Sequence, residues 1–297
     1  MPRKGDLKCN RCPECDGFGC PNMLPGLGGV NNGKNFQLNY EGWRNLRKEA
    51  EEKCFLSDIL NIKVTPSHIG CGPVTGAVEN IGYDNEEDFY IPYVYNADKM
   101  GFNICIGDGC PDEKIKFGIN AVKSLESKNK AAFFLKPYPE ARLIERVTWV
   151  KPYASYIGID IDSYNIATMR NLVNLERKSA EQLEHFRTFS GLPFVIKGVF
   201  TEEDVALVKE VKPDVVYISN HGGRVDTIEG STSDFLVKHA KELKKYCKEL
   251  WIDGGVRTKE DVQTALYYGA DKVFLARPLV IATFDDEYEE VAKKLID

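Results

Sequence analysis

A histidine and an arginine stand three residues apart at the end of an apolar run in the second half of the chain. Residues 215–217 read Val-Val-Tyr, and residues 218–224 read Ile-Ser-Asn-His-Gly-Gly-Arg. The apolar run predicts a buried strand and the glycine pair predicts a loop, so His221 and Arg224 are expected at the open end of a strand. Histidine accepts a proton near neutral pH, and arginine binds a carboxylate through two parallel hydrogen bonds. The pair predicts an enzyme acting on a small acid. A loop-capping histidine and an arginine paired with an aspartate is the alternative.

The strand that carries this pair belongs to a longer alternation of short apolar runs and amphipathic stretches. Candidate strands cover residues 67–71, 103–106, 131–135, 155–161, 194–196, 215–219, 250–252 and 272–275, and candidate helices include 202–210, 233–249 and 259–268. Eight strands that are each followed by a helix predict an α/β fold of the (β/α)8 TIM barrel type, with its active site at the carboxyl ends of the strands. A doubly wound sheet is the alternative, although no G-x-G-x-x-G sequence opens it.

The composition of the chain excludes several classes of protein. The 297 residues are 43% hydrophobic and 28% charged, with a net charge of −6. No Lys/Arg cluster predicts nucleic-acid binding, no apolar run is long enough to predict a membrane span, and no secretion signal is evident, so a cytoplasmic enzyme is expected. We predict two parts: an N-terminal Cys-rich extension with a helix near residues 40–53 (residues 1–60), and the barrel (residues 61–297).

The remaining polar signals of the second half also follow predicted strands. Lys197 ends one strand, residues 253–257 read Asp-Gly-Gly-Val-Arg after the next but one, and residues 276–278 read Ala-Arg-Pro after the last. In a barrel these positions meet on one rim, and the last two loops are the place where such barrels often bind phosphate. Gly254 and Gly255 would let the backbone approach an anion, while Arg257 and Arg277 would supply charge.

Four motifs in order resemble the FMN-dependent 2-hydroxy-acid oxidising family, which includes glycolate oxidase, lactate oxidase and the flavocytochrome lactate dehydrogenases. They are residues 194–199 (Phe-Val-Ile-Lys-Gly-Val), 219–224 (Ser-Asn-His-Gly-Gly-Arg), 253–257 and 269–278 (Gly-Ala-Asp-Lys-Val-Phe-Leu-Ala-Arg-Pro). The resemblance is strongest from about residue 192 to 278. It implies a flavoprotein oxidoreductase that transfers a hydride from C2 of a small L-2-hydroxy acid to flavin N5. It also implies a homo-oligomer.

The resemblance implies a role for each matching residue. His221 would take the proton of the substrate hydroxyl, Asp162 would orient His221, and Lys197 would lie beside the flavin N1–O2 edge. Arg224 would bind the substrate carboxylate. Flavin or phosphate contacts would come from Pro73, Val74, Thr75, Asp108, Asp160, Lys197, Ser219, Gly222, Asp253, Gly254, Gly255, Arg257, Ala276 and Arg277.

Several positions depart from that family and leave the substrate open. Where the family has a Gln and a Tyr after the third strand, residues 133–138 read Phe-Phe-Leu-Lys-Pro-Tyr, so Tyr138 is the candidate substrate hydroxyl contact. Arg170 is the nearest candidate for a second substrate arginine, one position off the alignment. Asp160 takes the place of a flavin-contacting hydroxyl, and Ala276 takes the place of a Gly.

Four of the nine cysteines crowd into the N-terminal extension, at Cys9, Cys12, Cys15 and Cys20. The spacing is one residue longer than the bacterial ferredoxin pattern C-x2-C-x2-C-x3-C-P. Four thiolates within reach of one another suit either zinc or an iron–sulfur cluster. Free or adventitiously bridged thiols are the third interpretation.

Two other functions remain open from the sequence. One is a non-redox flavin isomerase of the type 2 isopentenyl diphosphate isomerase kind, against which the base and the carboxylate-binding arginine both argue. The other is a flavin-binding redox sensor in which the cysteine segment signals the state of the flavin.

Overall fold

The computed structural model describes residues 33–78, 83–166 and 174–296, which contain a single sheet of eight parallel strands. The strands are β1 (Ile69–Cys71), β2 (Cys105–Gly107), β3 (Ala131–Leu135), β4 (Ala154–Asp160), β5 (Phe194–Val199), β6 (Val215–Ile218), β7 (Glu249–Ile252) and β8 (Lys272–Leu275). Each strand from β2 to β8 pairs with its neighbours in sequence order, and β1 pairs with β8. A parallel bridge between Gly70 and Asn103 joins β1 to the start of the β2 segment. The sheet therefore closes, which confirms the predicted (β/α)8 barrel.

Helices alternate with the strands throughout the described residues. They are α1 (Lys34–Glu52), α2 (Leu56–Leu60), α3 (Glu87–Lys99), α4 (Glu113–Lys123), α5 (Glu140–Val150), α6 (Ala180–Ser190), α7 (Glu202–Val211), α8 (Thr232–Leu243), α9 (Lys259–Tyr267), α10 (Arg277–Asp285) and α11 (Tyr288–Ile296). Thr201 and Thr258 cap α7 and α9, each within a capping box, because their hydroxyls accept the amide three residues on. None of the helices in the described part of the chain has the length and apolar character needed to cross a membrane.

Two predicted helix boundaries are corrected by the structure. The helix predicted over residues 233–249 ends at Leu243, because a short turn is needed before β7 begins at Glu249. The N-terminal helix predicted near residue 40 begins earlier, at Lys34. Its first turn carries asparagine and phenylalanine side chains that are buried against the barrel loops, so a search for a polar N-cap and apolar periodicity misses it.

The barrel interior below the carboxyl ends of the strands is filled by aromatic side chains. Tyr217, Trp251 and Phe274 on β6, β7 and β8 contact one another with ring centroids 5.0–6.0 Å apart. Lys197 lies above this layer, with its Nζ 5.3 Å from the centre of the Tyr217 ring. Because the layer excludes water from below, a polar side chain at the strand ends must find its partners at the carboxyl end of the barrel.

Helix α1 packs across the loops that follow β6 and β7. Trp43 is fully buried, and its indole Nε1 donates a 2.8 Å hydrogen bond to the carbonyl of Gly254. The amides of Asn39 and Asn220 exchange two hydrogen bonds of 2.7 and 3.0 Å across 181 positions of sequence. Arg47 pairs with Asp261 at the start of α9. This helix of the predicted extension is therefore tied to the same loops that carry the candidate site residues.

We predict that Trp43→Ala lowers the free energy of unfolding by about 3–5 kcal/mol, because it empties a fully buried site. Trp43→Phe keeps most of the packing but removes the indole donor, which leaves the Gly254 carbonyl only the longer 3.4 Å bond from the Thr232 hydroxyl. A smaller loss of about 1–3 kcal/mol is therefore expected. Urea denaturation followed by circular dichroism measures both. An unchanged midpoint for Trp43→Ala would mean that α1 is not part of the cooperative unit formed by the barrel.

Candidate active site

His221 occupies a strained turn directly after β6. Its φ is +58°, and Gly222 and Gly223 follow with φ of +63° and +88°. Residues other than glycine rarely adopt this left-handed backbone conformation, and such strain is concentrated at functional sites. The backbone amide of His221 donates to the Ser219 hydroxyl at 3.1 Å, and the His221 carbonyl accepts from the Arg224 amide at 3.3 Å. These bonds hold the turn that carries the candidate base and the candidate carboxylate-binding arginine.

The imidazole of His221 lies against the carboxylate of Asp162, the residue that the family resemblance implies would orient it. Nδ1 lies 3.0 Å from both carboxylate oxygens of Asp162, in the segment that follows β4. Gly198 makes this approach possible: its φ is +93°, and a Cβ at that position would lie only 2.5 Å from Cγ of Asp162. Nδ1 is held by Asp162 at 3.0 Å, whereas Nε2 lies 3.5 Å from Oδ2 of Asp160. Nε2 is therefore the less tightly held nitrogen and the candidate to accept a proton from a substrate.

Asp160 is a nearly fully buried carboxylate shared by two lysines. Its Oδ1 lies 2.9 Å from Lys197 Nζ, and its Oδ2 lies 2.8 Å from Lys136 Nζ and 3.5 Å from His221 Nε2. Burial alone would raise the pKa of Asp160, but the charges of His221, Lys136 and Lys197 outweigh it and hold that pKa well below the usual value. Burial likewise would lower the pKa of Lys197, yet Asp160 raises it well above normal. Both groups are therefore charged at neutral pH.

This cluster is better described as an ion-pair network than as a metal site. Asp160, Asp162 and His221 offer ligand atoms within 4.8 Å of one another, which is close enough for one cation. Both oxygens of Asp160 are already held by ammonium groups, however, and an added cation would have to displace them. The arrangement favours binding of an anion or a neutral molecule beside the two lysines.

Two guanidinium groups flank Gly222. A Cβ at Gly222 would lie 3.2 Å from Nη1 of Arg277 and 3.6 Å from Nη1 of Arg224. Burial lowers the pKa of Arg224 from its usual value to about 10, and no carboxylate of the described residues lies within ion-pair distance of it. Its guanidinium donates a 3.4 Å hydrogen bond to the His221 carbonyl. A desolvated guanidinium with no acid beside it can bind an incoming carboxylate.

The glycines after β7, which were predicted to contact phosphate, also allow close packing of the neighbouring helices. A Cβ at Gly255 would lie 2.0 Å from the Asn39 carbonyl oxygen, and a Cβ at Gly254 would lie 2.5 Å from the Thr232 hydroxyl. Both glycines are therefore required for α1 and α8 to pack against this loop, and their contact with phosphate stays a prediction. Burial raises the pKa of the preceding Asp253.

The arginines of the last two loops lie against aromatic rings of α1. The Arg277 guanidinium is 4.6 Å from the centre of the Phe36 ring, and that of Arg257 is 5.8 Å from the centre of the Tyr40 ring. Burial lowers the pKa of Arg257. Ala276 immediately precedes α10, where its Cβ is 3.0 Å from the position that a Cβ on Gly72 would take. The structure therefore brings the loops after β1 and β8 together, as the barrel requires.

The candidate contacts after β1 and β2 adjoin one another. Pro73, Val74 and Thr75 are half-buried, and Gly107 allows the Pro73 carbonyl to approach β2 closely. Asp108 is buried, its Oδ1 accepts the Gly109 amide at 2.8 Å, and burial raises its pKa to about 6. Oδ2 of Asp108 lies 3.4 Å from Nε of the equally buried Arg146. No sequence pattern predicted a role for this arginine, because it lies within α5 rather than at a strand end.

Tyr138 and Arg170 are the two substrate contacts predicted where the sequence differs from the family pattern, and the structure describes only Tyr138. Tyr138 is buried beneath the Arg146 guanidinium, 5.4 Å from the ring centre, and burial raises its pKa to about 12. The phenol ring thus lies against Arg146, and a contact of Tyr138 with substrate stays a prediction. Arg170 lies outside the described residues, as do Cys9, Cys12, Cys15 and Cys20.

Three site residues were missed by the sequence reasoning. Lys136 follows β3 and reaches Asp160, so the rule that placed Lys197 at a strand end would also have found it. The importance of Gly198 could not be recognised without knowing how closely Asp162 approaches β5. Asn220 could be recognised only from its hydrogen bonds with Asn39, a distant residue that no local pattern indicates.

Comparison with known proteins agrees with this geometry. The sequence model of the FMN-dependent dehydrogenase family matches residues 121–295, which is more than half of the chain. The chain is 38% identical to 2-hydroxyacid oxidase 2 of Bos taurus over 101 residues, covering 34% of this chain and 28% of that protein. It is 36% identical to glycolate oxidase 3 of Oryza sativa subsp. indica over 142 residues, covering 48% of this chain and 35% of that protein.

Solved structures share the fold at lower sequence identity. The flavin-binding domain of baker's yeast flavocytochrome b2 superimposes with a TM-score of 0.66 at 19% identity, covering 88% of this chain and 73% of that one. Mandelate oxidase with benzoyl-formic acid gives a TM-score of 0.60 at 19% identity, covering 77% and 72%. The matched segments span only about a third of the curated relatives' length. The family match over more than half of the sequence nevertheless shows that this chain belongs to the FMN-dependent dehydrogenase family.

Proposed function

We propose that this chain binds FMN and oxidises a small L-2-hydroxy acid to the corresponding 2-oxo acid. One observation carries the proposal: a histidine held by a buried carboxylate lies three residues before a desolvated arginine that has no acid partner among the described residues. The base suits the hydroxyl of such a substrate, and the guanidinium suits its carboxylate. Membership of the FMN-dependent dehydrogenase family supports the choice of cofactor.

The residues present fit FMN. Arg257 follows β7 and Arg277 is the first residue of α10 after β8, so a phosphate there would find two cations that lie against the aromatic rings of α1. Lys197 is a charged amine above the aromatic layer of the barrel, and it lies within β5 because this strand continues to Val199 rather than ending before Lys197 as predicted. A cation there would stabilise negative charge on a flavin ring. We include Ser219, Gly222 and Asp253 among the proposed cofactor contacts because they border Lys197 and Arg277.

The chain's own groups would perform three tasks in the reaction. Arg224 would bind the substrate carboxylate and so fix C2 and its hydroxyl near His221. His221 would take the hydroxyl proton on Nε2, while Asp162 at Nδ1 would hold the ring and stabilise the positive charge that develops on it. Bound FMN would supply the acceptor for the hydride that leaves C2. Loss of that proton and that hydride converts the hydroxy acid to the 2-oxo acid.

We predict that the purified protein is yellow and bleaches anaerobically with lactate, glycolate or a related acid, whereas His221→Asn retains flavin but bleaches at least about a hundredfold more slowly. Asparagine is chosen because it tolerates the left-handed backbone that His221 adopts. His185→Asn is the matched control, since His185 is exposed and pairs with Glu140 on the outer helices. Stopped-flow absorbance measures the rates. Bleaching of His221→Asn at the wild-type rate would contradict the assignment of the base.

We predict that Gly198→Ala slows bleaching by at least about tenfold, because the new Cβ would push Asp162 away from His221. Gly191→Ala is the matched control: Gly191 also has a positive φ, but the nearest atom to its added Cβ is the flexible Lys151 Nζ at 3.6 Å. Both variants should lose about 1 kcal/mol or more of stability from backbone strain, and only Gly198→Ala should lose rate. Equal rates in the two variants would show that the position of Asp162 does not matter.

We further propose that Cys9, Cys12, Cys15 and Cys20 bind zinc or an iron–sulfur cluster, on the strength of their spacing. Elemental analysis of anaerobically purified protein should find one of these metals, and Cys12→Ser should lose it. Cys54→Ser is the control, because Cys54 is an exposed free cysteine outside the motif. Protein with neither iron nor zinc would contradict the proposal.

A further inference from the structure

Lys136 is a buried amine that the proposed reaction does not use. It follows β3, is only 5% exposed, and donates hydrogen bonds of 2.8 Å to Asp160 Oδ2 and 3.1 Å to the Ser163 hydroxyl. Burying an ammonium group costs free energy unless an opposite charge compensates for it. Asp160 provides that charge, so the positions of the two side chains depend on each other.

Asp160 in turn compensates for more than one cation. Lys197 Nζ binds one of its oxygens at 2.9 Å, and Lys136 Nζ binds the other at 2.8 Å. Without Lys136, the carboxylate would neutralise the charge that Lys197 presents on β5. With Lys136, the three side chains together carry one positive charge. Asp162 and Asp253 also act on Lys197, so the loss of one positive charge here would not be compensated by other groups. The potential above β4 and β5 therefore depends on Lys136 and Asp160 as well as on Lys197.

We propose that Lys136 and Asp160 form a charge-matched pair that sets the electrostatic potential at the flavin position, with Lys136 as a positioning residue that acts through Asp160. The inference rests on the proposed function, because it requires flavin to lie beside Lys197. A reduced or adducted flavin ring carries negative charge, and a net positive cluster stabilises it. Removing Lys136 makes the charge beside Lys197 more negative by one unit, and removing the charge of Asp160 makes it more positive by one unit.

Sulfite tests this potential without any turnover. Its sulfur lone pair forms a bond to flavin N5, the electron pair it displaces stays on the ring as negative charge at the N1–C2 edge, and the adduct is colourless. The dissociation constant of sulfite can thus be read from flavin absorbance. We expect Lys136→Met to raise that constant by about tenfold or more, and Asp160→Asn to lower it by about tenfold or more, since one unit charge acts at short range in a dry site.

The double variant Lys136→Met/Asp160→Asn is the decisive measurement. It removes one charge of each sign, so its sulfite dissociation constant should return to within about threefold of wild type. Lys248→Met is the matched charge control, because Lys248 is exposed and pairs with Asp214 at the opposite end of the barrel. Solvent should screen that change to less than about threefold.

The possible outcomes separate this inference from the proposed function. Wild-type protein without flavin overturns the proposed function and this inference with it. Flavin-loaded single variants that bind sulfite as wild type does, or a double variant further from wild type than either single one, overturn the inference alone. If Asp160→Asn does not fold, Lys136→Arg replaces it, because it keeps the charge and should bind sulfite as wild type does. If Lys136→Arg binds sulfite as weakly as Lys136→Met does, the loss is due to the shape of the side chain and not to its charge. That result also overturns the inference.

Discussion

The ion pairs of Asp160 connect three neighbouring strands at the carboxyl end of the barrel. The carboxylate ends β4, Lys136 follows β3, and Lys197 lies on β5, all of them almost removed from solvent. A buried ion pair repays its desolvation only when the geometry is good and the remaining polar atoms are also bonded. Ser163 and Ser219 supply two of those bonds, at 3.1 and 3.4 Å from the lysine Nζ atoms. Register errors between these strands would leave a charge buried without its partner, so the network favours one alignment of β3, β4 and β5.

Glycines with positive φ allow the close packing between the buried charged residues and His221. Gly198 on β5 leaves space for Asp162, and Asp162 holds the His221 ring after β6. His221 itself adopts a left-handed backbone that only its surroundings can maintain, through the Ser219 hydroxyl and the two glycines that follow. The base, its carboxylate and the lysine layer are thus connected by close approaches in which an added methyl group would collide. Such a site is rigid because its parts were placed by sterics as well as by charge.

The sequence predicted the barrel and much of the site because both follow from local rules. Apolar runs of three to seven residues marked the strands, and charged residues at their predicted ends marked Lys197, His221, Asp253 and Arg277. Lys136 obeys the same rule but was read only as a departure from a family pattern. Other features depend on contacts between distant parts of the chain, such as the reciprocal amides of Asn39 and Asn220 or the seating of Arg146 beside Asp108. No local periodicity encodes those distances, so only the folded structure reveals them.

Helix α1 shows why the N-terminal part of the chain cannot be treated as separate from the site. Its backbone at Asn39 and Tyr40 fills the space that a side chain at Gly255 would need, and Phe36 approaches Gly223 in the same way. Its aromatic rings also lie against the guanidinium groups of Arg257 and Arg277. An arginine whose hydration is replaced by an aromatic face loses freedom but keeps its charge, which leaves it better prepared for an anion than a solvated one. The loops expected to hold phosphate therefore acquire their shape from α1, and a change in that helix would alter anion binding without touching a charged residue.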